Sequence, residues 1–124
     1  MDYERLRWPL MGTHAKLTWR IDVKKIINGK IYNTDTATFI GNHQYANMGD
    51  FHYEDTDLYR TPKGAFFVQG TGGAYSRWAQ PCGSNGQMGG HGIQALTPTE
   101  ALAWCEDAGI DVDVIAQYFS VEEA

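Results

Sequence analysis

Cysteine is scarce in this sequence: Cys82 and Cys105 are the only two, and neither has a neighbour at CxxC spacing. That excludes a zinc ribbon and a dithiol redox motif. The segment from Met1 to Lys25 is broken by Arg5, Arg7, His14, Lys16 and Arg20, so it holds no secretory apolar core. Both thiols are therefore expected to be reduced, in a cytoplasm. Long apolar runs are missing too; none approaches the ~20 residues a membrane helix needs. No repeat appears at the periods of about 20–50 residues that mark solenoids. Among His14, His43, His52, His91, Cys82 and Cys105, the closest pairs are separated by eight intervening residues. A structural metal wants close ligand pairs, so no metal and no cofactor is expected.

Catalytic signatures are equally thin. Gly70-Thr71-Gly72-Gly73 has the composition of a phosphate loop, but no GxGxxG and no following Gly-Lys-Ser/Thr. Gly89-Gly90-His91-Gly92 has the composition of an oxyanion loop without a GxSxG nucleophile elbow anywhere in the chain. Cys82, in a glycine-rich stretch, is the one candidate nucleophile, with His91 as its base. Cys105 falls on the apolar stripe of a helix and reads as a core thiol. Asp55 and Asp57 share one side of a strand, where paired acids either serve hydrolysis or mark a solvated face.

What is present suffices for one domain of 124 residues, 43% hydrophobic and 13% aromatic. The expected division is a basic N-terminal arm or strand (1–24), a hairpin-rich sheet with a glycine loop (25–96) and a helical pair (97–120). Ala15–Val23 alternates as an amphipathic strand. Asn28-Gly29 between apolar β-formers predicts a type I′ hairpin. Asn33–Thr36 offers caps for a short helical turn at Ala37–Ile40, followed by a polar, irregular stretch over 42–50. Pro62 and Gly64 predict a turn joining a strand over Phe51–Arg60 to a return strand at Ala65–Gln69. Ala74–Ala79 suits a short helix, Gln80–Gly92 a loop, and Gly92–Leu96 a further strand. Thr97-Pro98-Thr99-Glu100 is a capping box with proline at the first helical position, and Gly109 closes that helix. Asp111 caps a second helix. The expected fold class is α+β, a small antiparallel sheet built from hairpins with both C-terminal helices packed on one face.

Charge is distributed unevenly. Residues 1–30 carry seven Lys/Arg against three acids, a balance of +4, whereas residues 31–124 carry three Lys/Arg against twelve acids, a balance of −9. Between Asp35 and Asp57, and again from Thr99 onward, there is no Lys or Arg at all. Such a body repels phosphate and attracts a partner with a basic surface. Tyr53, Tyr59, Phe66 and Phe67 either leave some rings exposed as anchors for a partner or are buried in a sheet covered on both faces.

A set of residues carries a family resemblance: Tyr32-Asn33-Thr34-Asp35-Thr36-Ala37, Ile40-Gly41, Leu58-Tyr59-Arg60-Thr61 with Gly64 and Phe66-Phe67, Gly70-Thr71-Gly72-Gly73-Ala74 with Ser76, and Leu96-Thr97-Pro98-Thr99-Glu100-Ala101. Together, over Lys25 to Phe119, they resemble a family of small proteins from phages and bacterial mobile elements, similar in kind to anti-CRISPR proteins. The resemblance implies a non-enzymatic inhibitor in the cytoplasm of an infected bacterium. It would bind a Cas effector stoichiometrically and block target-DNA binding, with carboxylates in place of phosphates. The contacts expected under that reading are Asp50, Glu54, Asp55, Asp57, Glu100, Glu106, Asp107, Asp111 and Asp113, with Tyr53 or Tyr59 as anchors. The alternative is a DNA-binding accessory protein of a mobile element. It would use Arg5, Arg7, Lys16, Arg20, Lys24 and Lys25 on phosphates, and Trp8 or Trp19 for stacking.

Overall fold

The computed structural model describes residues 23–124 apart from Met48. Of the expected strand at Ala15–Val23 only Val23 is described; its other residues, with Trp8, Trp19 and all but the end of the basic arm, lie outside the described residues.

The chain enters a hairpin of β1 (Lys24–Ile27) and β2 (Lys30–Asn33), paired Ile26 to Ile31 and Ile27 to Lys30. Asn28 and Gly29 sit at φ 51° and 78°, the two successive left-handed positions a type I′ turn demands. Thr34 ties the hairpin's open end, its Oγ1 accepting the Val23 N–H at 2.8 Å and its N–H donating to the Val23 carbonyl at 2.9 Å.

No helical turn forms at Ala37–Ile40; the Ala37 N–H donates to the Asn33 carbonyl at 3.2 Å in a single turn over 33–37. Asn33 Oδ1 accepts the Asp35 N–H at 2.9 Å, closing a tight turn. The chain then runs as β3 (Thr38–Tyr45), which replaces both the expected helical turn and the first half of the expected irregular stretch. Cross-strand pairing outweighs the local capping signal: Phe39 lies opposite Tyr59 and Asn42 opposite Asp57, with a bulge at Ile40. β4 (Glu54–Arg60) and β5 (Phe66–Gly72) form the second hairpin as expected. Its turn has Pro62 in second place and a Gly64 N–H donating to the Thr61 carbonyl at 2.9 Å.

Ala74–Ala79 is a series of turns instead of a helix. Ser76 Oγ donates to the Gly73 carbonyl at 2.8 Å and accepts the Trp78 N–H at 3.1 Å, local bonds that compete with helical ones. The expected loop over 80–92 contains a small exposed hairpin, β6 (Gln80–Cys82) and β7 (Gly86–Met88), with Gly83 at φ 71°. β8 (Gly90–Leu96) then returns beside β5. The main sheet is antiparallel in the order β3-β4-β5-β8.

Helices α1 (Pro98–Ala108) and α2 (Val112–Tyr118) begin where their caps predict. Thr97 Oγ1 accepts the Glu100 N–H at 3.1 Å while Glu100 Oε1 accepts the Thr97 N–H at 2.8 Å, and Gly109 ends α1 at φ 71°. The fold is α+β. Leu58, Phe66 and Val68 meet Ala101, Trp104 and Cys105 on the helical side, and Phe66 stacks on Phe119 at 4.8 Å. Tyr59, Phe67 and Ile93 meet Tyr32 and Ile27 on the other side. The sheet is thus covered on both faces, and each fully buried large apolar side chain contributes about 2–3 kcal/mol by its removal from water.

Candidate functional site

Because β4 alternates sides, Asp55, Asp57 and Tyr59 point toward the hairpin layer and Glu54, Thr56 and Leu58 toward the helices. Asp57 is fully buried, and Asp55 and Tyr59 are 9% and 8% exposed. These three are not available on the accessible acidic surface expected from the sequence. That expectation treated one face of the strand as open to solvent, and neither face is. Of the two readings of the aromatics, the covered sheet is the one found for Tyr59, Phe66 and Phe67. The two carboxylates are bridged instead: Asn42 Nδ2, opposite Asp57 in register, donates to Asp55 Oδ1 and to Asp57 Oδ1, each at 2.7 Å. On the helical side Trp78 Nε1 donates to Thr56 Oγ1 at 2.9 Å, and that hydroxyl donates to Glu54 Oε2 at 2.7 Å. Glu54 is half-buried and lies 3.9 Å from Arg77 Nε.

The accessible acids lie elsewhere. Glu100, Glu106, Asp107, Asp111 and Asp113 are all exposed on the helical pair, and among the described residues no salt bridge engages them. Glu100 and Asp111 also serve as caps, Asp111 Oδ1 accepting the Asp113 N–H at 3.0 Å. Glu106 and Asp107 have no such task. They sit in the last turn of α1, which holds no basic residue. There the exposed carbonyls of the helix end repel carboxylates. With Asp111 and Asp113 just across Gly109, they make a corner of four acids over residues 106–113.

A third region joins the β3–β4 connection to the turns after β5. Asp50 is exposed, and its carboxyl is held below the usual range chiefly by the His52 backbone N–H, which donates to Oδ1 at 2.7 Å. Phe51 and Tyr75 are 64% and 63% exposed, yet their rings meet edge to face at 5.6 Å. His52 packs on Tyr75 at 5.1 Å. Tyr53, the expected anchor, is half-buried. Phe51 and Tyr75 are not among the expected contacts, since the sequence pattern assigns one to a strand and the other to a helix; Gly70, Gly72 and Gly73 just before the Tyr75 turn are the available signal.

Cys82 is exposed on β6 and His91 exposed on β8; no hydrogen bond joins them among the described residues. Cys105 is buried, and burial, with Glu106 adjacent, pushes its thiol up to about 11. Among the described residues no three His, Cys, Asp or Glu side chains converge as metal ligands, and no helix is long and apolar enough to cross a membrane. A scan against protein-family models, a search of the curated proteins and a search of the solved structures each found no match to this chain.

Proposed function

We propose that this chain is a stoichiometric protein-binding inhibitor whose acidic helical corner docks on the basic nucleic-acid-binding surface of a bacterial CRISPR–Cas effector and blocks target-DNA binding. The observation that carries the reading is the placement of Glu106 and Asp107. Both are exposed at the end of α1 where carboxylates oppose the helix dipole, and among the described residues no base pairs with them. Residues there that only served solubility would do so at less cost on any other turn. Their value is in facing a cationic partner. The likeness of the sequence to anti-CRISPR proteins names the class of partner, and the host cytoplasm is where such a partner resides.

The test is phage plaquing on bacteria that each carry one active CRISPR system, with and without this protein. Restored plaquing on one strain supports the reading and identifies the system; no rescue on any strain overturns it. Glu106→Lys with Asp107→Lys adds the sharper check. Relief of the dipole conflict should raise stability by roughly 0.3–1 kcal/mol per site, while inhibition falls. Undiminished inhibition in that variant would remove the corner from the mechanism.

A second reading has one observation in its favour. The β1–β2 hairpin exposes Lys24, Lys25 and Lys30 and contains no carboxylate. Under it, the chain is a DNA-binding accessory protein, and a gel shift abolished by Lys24→Glu and Lys25→Glu is its test.

A further inference from the structure

Phe51 and Tyr75, two exposed rings at the end of the sheet far from the start of α1, are held by backbone, not by chance packing. Phe51 lies in the turn before β4 and Tyr75 in the turn after β5. Their segments are zipped together: the Tyr75 N–H donates to the Phe51 carbonyl and the Gly73 N–H to the Tyr53 carbonyl, both at 2.8 Å. Gly73 permits this approach, because a Cβ there would stand 2.5 Å from the Phe51 carbonyl oxygen. The rings are therefore presented in a fixed arrangement while most of their surface meets water. Fixed, solvent-facing aromatics lose little freedom on binding and are typical anchors of interfaces.

The chemistry beside the rings selects the occupant. Asp50, immediately before Phe51, is an exposed carboxylate kept ionised by its bond from the His52 N–H. Ring faces and a carboxylate together attract a guanidinium, whose flat cation stacks and donates at once. The chain already makes this arrangement internally: Arg77 lies over the Trp78 ring at 6.0 Å with its Nε 3.9 Å from Glu54.

We infer that Phe51 and Tyr75, flanked by Asp50, form a docking site for an arginine side chain of a basic protein segment. This rests on the protein-binding reading above and adds to it a second contact point, at the other end of the sheet from the start of α1. The probe is an oligo-arginine peptide, with oligo-lysine as control, titrated into the isotopically labelled full chain and followed by amide NMR shifts. Shifts at Phe51, His52, Gly73 and Tyr75 are expected to saturate with the arginine peptide. The affinity read from the shifts at these four residues should fall about tenfold in Tyr75→Ala. Because Tyr75 is exposed, its truncation leaves the core intact, and a retained amide spectrum verifies the fold. Arginine shifts confined to the helical acids overturn the aromatic site while leaving the acidic corner standing. Equal response at the aromatic site to lysine and arginine overturns the guanidinium assignment. No shift anywhere overturns both.

Discussion

Replacing Asn42 should cost this protein a large share of its stability. Its Nδ2 lies between two buried carboxylates at 2.7 Å from each, with a weaker bond to the Thr56 carbonyl at 3.3 Å. Hydrogen bonds to charged groups contribute about 1.5–3 kcal/mol each, and removing a donor leaves buried oxygens with that much less compensation. Leucine matches the shape of asparagine without a donor. Both carboxylates keep other interactions, so the two losses do not add in full, and Asn42→Leu is expected to lose about 3–4 kcal/mol. With a urea slope of about 1–1.5 kcal/mol per molar for a domain this small, the unfolding midpoint should drop by about 2–4 M. Asn42→Asp should lose more at neutral pH, since a third carboxylate replaces the donor. Part of that loss should return as pH falls, because burial and like charge raise the carboxyl pKa in the fold and a protonated acid is again a donor. A loss under about 1 kcal/mol in Asn42→Leu, with the slope unchanged, would refute the claim that this amide holds the acidic pair.

Two further predictions concern the core. Gly70→Ala places a Cβ 2.5 Å from the Asp55 carbonyl oxygen and 2.6 Å from Trp78 Nε1; neither can retreat cheaply. A loss of about 2–3 kcal/mol is expected, or roughly 10 °C or more in a thermal melt, and an unchanged melting temperature would show the indole is not seated as described. Native alkylation near pH 8 should modify Cys82 alone, because Cys82 is exposed and Cys105 is buried with its thiol raised to about 11. A raised thiol keeps its proton in the fold, so the linked stability is complete below the ordinary range near about 8.5 and is lost as pH climbs toward about 11. Mass spectrometry showing both thiols modified at equal rates would contradict this.

The helical pair and the two hairpin turns were readable because their signals are local: Thr97, Pro98, Glu100 and Gly109 for α1, Asn28-Gly29 and Pro62–Gly64 for the turns. β3 was not, since Asn33–Thr36 carries cap chemistry that only the distant partner β4 overrules. The acidic candidates divide along the same line. Helical carboxylates were placed correctly on an exposed surface because the amphipathic period separates Glu106 and Asp107 from Trp104 and Cys105. Asp55 and Asp57 look solvated in sequence, and only Asn42, thirteen and fifteen positions away, makes their burial tenable.

The strand order has a kinetic consequence. β3, β4 and β5 pair with their neighbours in the chain, and β8 joins after an excursion that includes the exposed β6–β7 hairpin. Loop closure for the first three strands is short, whereas β8 must wait for the excursion to be spanned. The β4–β5 ribbon, buried on both faces in the finished protein, is thus the surface on which the hairpin layer and the helical layer are laid down. Shortening the β6–β7 hairpin would speed the docking of β8 and of the helices behind it, and leave the earlier ribbon untouched.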